Sequence, residues 1–125
     1  IPGRLISDLL IAKNNNECLT INDPKPKRDY LYIKDFVNLI VLIVNNIPIK
    51  TGIYNVGFGK VYSNLEVANI FRELIGEPRK VRVTGEKRQQ DILNCSVDTR
   101  LIKKTFSWSA KYSLKQGISD LLLNV

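Results

Sequence analysis

The residues best placed to do chemistry are an arginine and an aspartate three positions apart. They lie in the polar run Lys87-Arg88-Gln89-Gln90-Asp91, which leads directly into the apolar run Ile92-Leu93-Asn94-Cys95. A guanidinium presents a planar fork of donors suited to phosphate or carboxylate. A carboxylate close by accepts from hydroxyl groups, such as those of a sugar. The alternative for such a pair is a surface ion pair, worth at most about 1 kcal/mol. A second candidate is Arg28, in Arg28-Asp29-Tyr30 after the basic loop Lys25-Pro26-Lys27. It reads either as an edge-strand charge that blocks aggregation or as an arginine facing an anion. Gly57-Phe58-Gly59 lies between a strand-like and a helix-like run, but position 62 is Tyr62 and the dinucleotide fingerprint is incomplete. It reads as a tight turn.

The bulk sequence narrows the chemistry. At 125 residues the chain is one domain's worth, and 44% hydrophobic residues can build a core. It contains no histidine, so a His-based triad is excluded and a metal site is not expected. Its two cysteines, Cys18 and Cys95, lie far apart, and are expected to be buried, reduced thiols in a cytoplasmic protein. Without histidine to activate it, Cys95 is expected to pack rather than react. The longest apolar run, residues 39–44, is far shorter than the ~18 residues of a spanning helix. The net charge of +7 favours an anionic partner, but the basic residues are dispersed in short groups, so nucleic acid is not signalled. The first residue is Ile1, as expected of a processed product or a fragment.

The elements that must position these residues follow from periodicity. Residues 3–13 read as a helix ended by Asn14-Asn15-Asn16. Residues 18–21 and 29–33 read as strands forming a hairpin around Asn22-Asp23-Pro24. Residues 34–45 are apolar almost all round; length favours a helix that must be covered on most sides, a hint of a surface outside this chain. Residues 53–56 read as a strand. Ser63 and Glu66 have capping-box spacing before a helix that Gly76 stops. Val81 and Val83 suggest a short strand. Asp98 is placed to cap a short helix reaching Phe106, and Trp108 to anchor the core. Ser113 and Gln116 repeat the capping-box spacing before the last helix.

The order of these elements resembles the extended short-chain dehydrogenase/reductases, the NAD-dependent nucleotide-sugar epimerases and dehydratases. Arg28-Asp29-Tyr30-Leu31-Tyr32-Ile33-Lys34-Asp35 resembles their R-D-F/W/Y-I/V-Y/H-V-x-D segment. Gly52-Ile53-Tyr54-Asn55-Val56-Gly57-Phe58-Gly59 resembles G-x-Y/F-N-V/I-G-x-G, and Ser63 with Glu66 the helix start that follows. Arg88 with Asp91 resembles R-x-G-D, with Gln90 in place of the glycine. Asp98 with Phe106-Ser107-Trp108, and Leu114 with Gly117-Ile118, resemble the closing motifs, with Ser107 replacing glycine before Trp108.

The resemblance covers essentially residues 1–125 and only the C-terminal part of the family. It implies an α/β fold: a small mixed sheet with packed helices, the Rossmann core largely missing. The family's Gly-rich NAD loop and catalytic Y-x-x-x-K are absent from the sequence. Tyr30 and Lys34 share that spacing but belong to the strand-to-helix segment. The implied role is the substrate-binding domain of an epimerase like UDP-glucose 4-epimerase. NAD would be held by an N-terminal half, no catalytic residue would lie here, and the full-length enzyme would be a homodimer. Arg88 would face the diphosphate of a nucleoside-diphosphate sugar, Asp91 the ribose hydroxyls and Arg28 the phosphates as a second cation. Ile21 would cover the base. The alternatives are a 4,6-dehydratase or decarboxylase of the same family, or a non-catalytic basic module that binds nucleic acid or protein.

Overall fold

The structure is a computed structural model that describes residues 4–46, 51–87 and 91–124. It contains five helices and two small sheets. The chain divides into two compact units. One comprises Ile1–Arg28 with Tyr62–Cys95, the other Asp29–Val61 with Ser96–Val125.

The first unit is built on α1 (Leu5–Asn14) and α3 (Asn64–Leu74), which pack on each other. Leu9 and Ala12 of α1 and Val67, Ala68 and Phe71 of α3 are buried with Leu19 and Ile21. Asn16, at φ +56°, carries the chain out of α1, a conformation asparagine tolerates better than most residues. The α3 capping box forms as its spacing predicts: Ser63 Oγ accepts from the Glu66 amide, and Glu66 accepts from the Ser63 amide. Two further amides at the start of this helix, those of Asn64 and Leu65, reach the carbonyls of Pro26 and Pro24. The proline-rich turn is thus tied to a helix N-terminus whose donors would otherwise be unpaired. Gly76, at φ +67°, ends the helix where expected.

The expected hairpin does not form. β1 (Thr20–Ile21) pairs in parallel with β4 (Arg82–Val83), matching Thr20 to Arg82. β2 (Lys27–Asp29) belongs to a different sheet, between β3 (Val61–Ser63) and β5 (Asn94–Cys95). It is therefore no edge strand. Lys27 and Arg28 match Asn94 and Cys95 in parallel register. Prolines at 24 and 26 deny the donors that a local antiparallel ladder needs, while both strands find partners late in the chain. The thiols also depart from expectation: Cys18 is only partly buried and Cys95 is exposed, because β5 is an edge strand and both its residues are exposed.

The second unit is built on α2 (Ile33–Asn45), α4 (Arg100–Phe106) and α5 (Leu114–Leu123). Leu39, Ile102 and Trp108 form its core, with Leu31, Tyr54, Val56 and Phe106 against them. Residues 53–56 make no ladder; Tyr54 meets Phe106 edge-on at 5.2 Å, and packing holds the segment instead. Asp35, 1% exposed, accepts the amides of Lys111 (3.0 Å) and Tyr112 (2.9 Å), pinning the start of α2 to the approach to α5. The Tyr32 ring packs on Tyr112, and its hydroxyl donates to Asp120, which Lys34 also meets. A Cβ at position 117 would lie 3.0 Å from the Tyr32 ring, so Gly117 permits this close approach. The α5 capping box of Ser113 and Gln116 forms as expected. Asp98 accepts the Arg100 amide just ahead of α4, while Thr99 is the residue at the cap position.

Ser107 leaves α4 at φ +51°, a left-handed conformation that costs a non-glycine residue roughly 1 kcal/mol or more. Replacing it with glycine relieves this strain at the expense of chain entropy. Strain relief of roughly 1–2 kcal/mol less about 0.5–1 kcal/mol of chain entropy leaves an expected rise of about 0.5 kcal/mol in the urea-unfolding free energy of Ser107→Gly; a fall would show that the position is unstrained. In the other unit, hydrogen bonds from Arg79 hold the Glu77 carboxyl at about 2 against an ordinary 4.5. Because the folded value is depressed, its contribution is present above 4.5 and is lost as pH falls through about 2. An NMR titration should find the Glu77 midpoint near 2, moving towards 4.5 in Arg79→Ala.

Candidate substrate site

The first unit brings together two of the sequence candidates. Arg28 ends its segment in β2, and Asp91 precedes β5, the parallel neighbour of β2. Arg28 Nη2 lies 2.5 Å from Asp91 Oδ1. Arg28 Nη1 donates to the carbonyl of Ile92 and, at 2.9 Å, to that of Lys27. The Lys27 amide in turn donates to the Leu93 carbonyl at 2.8 Å. The segment 91–95 is therefore strapped to β2 by both main chain and side chain. The ion pair is partly exposed, 31% for Arg28 and 25% for Asp91, and a ligand can reach both groups.

The other two candidates stand differently. Arg88 lies outside the described residues. Ile21 is 3% exposed, within the core below the turn at Asn22-Asp23-Pro24. That turn is closed by Asp23, which accepts the Lys25 amide, and by Asn64, which donates to the Asp23 carbonyl. Asn22, exposed at the end of β1, is the side chain on this turn that faces solvent, and its Oδ1 accepts from the Thr84 hydroxyl. Sequence reasoning identified Arg28 and Asp91 separately and missed that they join across 63 positions, with the Ile92 carbonyl as a further partner. No local pattern signals such a pairing.

In the second unit Gly57-Phe58-Gly59 behaves as a tight turn. Its amides do hold an anion, but one from this chain: Asp29 accepts from Phe58 and from Gly59, each at 2.8 Å. A Cβ at position 57 would lie 2.9 Å from Asp29 Oδ2 and 3.0 Å from Val97 Cβ, so the turn needs glycine there. The Phe58 and Gly59 amides are thus already taken and not available to the phosphates of a dinucleotide. Lys34, which shares the Y-x-x-x-K spacing with Tyr30, gives its ammonium to Asp120 at 2.9 Å.

The family model described as GDP-mannose 4,6 dehydratase matches residues 2–121. The chain belongs to this family. It is 30% identical to UDP-glucose 4-epimerase of Bacillus subtilis over 95 residues, covering 74% of this chain and 28% of that protein. Among solved structures, UDP-N-acetylglucosamine 4-epimerase from Bacillus cereus superimposes with a TM-score of 0.83 at 22% identity, covering 100% of this chain and 44% of that one. MoeE5, solved in complex with UDP-glucuronic acid and NAD, superimposes with a TM-score of 0.81 at 25% identity, covering 95% and 40%. The chain thus spans less than half the length of these relatives. The expected α/β fold is that of these solved structures, with two small sheets where one was expected.

The close approach at position 57 gives a stability test. Gly57→Ala should force Asp29 off the Phe58 and Gly59 amides, and overpacking of this kind costs roughly 1–3 kcal/mol. Urea unfolding measures the loss, and a cost below about 0.5 kcal/mol would mean that the turn is not held by Asp29.

Proposed function

We propose that this family member is the nucleotide-sugar-binding portion of an NAD-dependent epimerase related to UDP-glucose 4-epimerase. The observation that carries the reading is the joining of Arg28 and Asp91 beside β5, in a chain that matches its family over residues 2–121. The name of the Bacillus subtilis relative supports a UDP-sugar as substrate. In this reading residues 1–125 form a substrate-binding domain. Arg88 takes the diphosphate, for which its fork is suited. Asp91 accepts from the ribose and Arg28, beside it, is a second cation toward the phosphates; Ile21, 3% exposed, is packed into the core rather than over a base, a correction to its expected role. The chain supplies position and charge rather than a reacting group, and orientation alone can account for several kcal/mol of a barrier.

NAD belongs, in this proposal, to an N-terminal half. The described residues do not fit it: the one glycine turn after residues 53–56 spends its amides on Asp29. The apolar face of α2 supports a covering half. Phe36, Val37, Ile40, Val41 and Val44 are all exposed there along one helix face, and a contiguous apolar stripe of this kind is characteristic of an interaction surface. The full-length protein is proposed to be a homodimer acting in the cytoplasm. Among the described residues no helix is long and apolar enough to cross a membrane.

The second reading is a 4,6-dehydratase, favoured by the description of the matching family model. An epimer keeps the substrate's mass, whereas a dehydrated product is lighter by one water, so product mass from the full-length enzyme separates the two. The binding claim is tested on the 125-residue chain by NMR titration with UDP-glucose, dTDP-glucose and a short DNA duplex. Shifts at residues 86–94 with a nucleotide sugar are expected. Changes with DNA alone, steeply salt-dependent, would replace this reading with a nucleic-acid module. Arg88→Ala should weaken UDP-glucose binding by roughly 1–3 kcal/mol, as for loss of a charge-assisted hydrogen bond; unchanged affinity would remove Arg88 from the site.

A further inference from the structure

We propose that the outward side of residues 99–119, in the second unit, is a peripheral docking surface for an anionic lipid bilayer. This segment belongs to a different unit of the chain from Asp91 and has no part in the candidate substrate site.

The segment carries Arg100, Lys103, Lys104, Lys111 and Lys115 and neither aspartate nor glutamate. All five cations are exposed. The acids of the same unit, Asp29, Asp35, Asp98 and Asp120, are committed elsewhere. Asp29 and Asp35 give their oxygens to main-chain amides. Asp120 takes Tyr32 and Lys34, and Asp98 pairs with Arg100 at 2.7 Å. Lys103, Lys104, Lys111 and Lys115 therefore have no acidic partner among the described residues. Packing fixes which side they leave free, because Ile102, Trp108, Leu114 and Ile118 of the same segment are buried. Local stability does not account for the whole set. Lys103 and Lys104 suit the carbonyl end of α4, but Lys115 stands in the first turn of α5, where the helix dipole disfavours a cation and no acid offsets it.

The chemistry of the surface selects the partner. Its one guanidinium is gripped by Asp98 through Nε and Nη2, so no free fork remains for phosphates at fixed spacing. Its aromatic rings are engaged: Trp108 is buried, Phe106 meets Tyr54 and Tyr112 meets Tyr32. A single-stranded nucleic acid finds no ring to stack on. A folded acidic protein needs anchors in a desolvated centre, and the one large apolar side chain exposed in the segment is Leu101, at 54%. A plane of mobile anionic headgroups makes neither demand. Lysines are compact charges on flexible stems and reach such a plane without matched geometry, while Leu101 enters the headgroup region between Arg100 and Lys104. Clusters of about four to eight basic residues are what anionic membrane surfaces attract. The contact is peripheral, since among the described residues no helix is long and apolar enough to cross a bilayer.

The test is co-sedimentation of the 125-residue chain with vesicles of equimolar phosphatidylglycerol and phosphatidylcholine, and with vesicles of phosphatidylcholine alone. Binding is expected to the first and not to the second, and to weaken steeply as salt screens the surface. Lys103→Gln with Lys104→Gln, and Lys111→Gln with Lys115→Gln, should each lose about 25-fold, roughly fivefold per lysine. Lys13→Gln with Lys80→Gln removes the same charge from exposed positions of the other unit and should stay within about twofold. Leu101→Ser should weaken vesicle binding further at unchanged charge. All these side chains are exposed, and matched urea midpoints confirm that each variant is folded. An equal loss in the Lys13 and Lys80 variant would overturn the proposal, because net charge alone would then explain the binding. Equal binding to both kinds of vesicle, or no loss in the segment's own lysine variants, would overturn it too. Tighter binding to a short DNA duplex or to polyglutamate, lost in those variants and indifferent to Leu101→Ser, would overturn the lipid assignment and give the surface to that partner instead.

Discussion

Much of the second unit depends on one buried carboxylate. Asp35 sits in the first turn of α2, is almost wholly removed from water, and spends both oxygens on the amides of Lys111 and Tyr112. A buried charge is tolerable only when such donors replace its hydration. Without those two bonds the start of α2 keeps only the side-chain contacts of Tyr32 and Lys34 with α5, at Asp120 and Gly117. Six residues earlier Asp29 does the same for the turn at Gly57. The segment 28–35 therefore contains one arginine turned to the candidate site and two aspartates turned to the scaffold. Its family resemblance is largely a record of main-chain amides that need an acceptor.

The same economy separates the two basic candidates. Arg28 is neutralised by Asp91 within the chain. With 19 basic against 12 acidic residues, at least seven basic residues have no acidic counterpart, so long-range attraction of an anion does not depend on the paired arginine.

Helix content was legible in the sequence because capping signals are local. Ser63 with Glu66 and Ser113 with Gln116 set their helix starts within a few residues, and both boxes close as their spacing requires. Strand pairing was not legible. Nothing near Thr20 indicates that its partner is Arg82, and nothing near Lys27 points to Asn94. Short strands of two or three residues carry too little alternation to fix register. The candidate site suffered likewise: Arg28 and Asp91 could each be singled out by type and motif, but their ion pair is a product of the β2–β5 register. The exposure of Cys95 had the same origin, since an edge position follows from topology and not from residue type.

The parallel pairings of β1 with β4 and of β2 with β5 have a consequence for the order of assembly. Each joins residues about 60 positions apart, as the 62-residue separation of Asn22 and Thr84 illustrates. Closing loops of this length costs entropy before two or three ladder bonds return anything. During synthesis from the N-terminus, β1 must wait, unpaired, until residues 82–83 have left the ribosome, and β2, which β3 can join earlier, until residues 94–95 for its second partner. The packing of α1 on α3 spans a comparable separation but needs only residues up to 74, so it can form before the late strands emerge. The candidate site, built on the later of the two pairings, is thus among the last features of the first unit to appear, and any shortened product ending before residue 91 would lack it entirely.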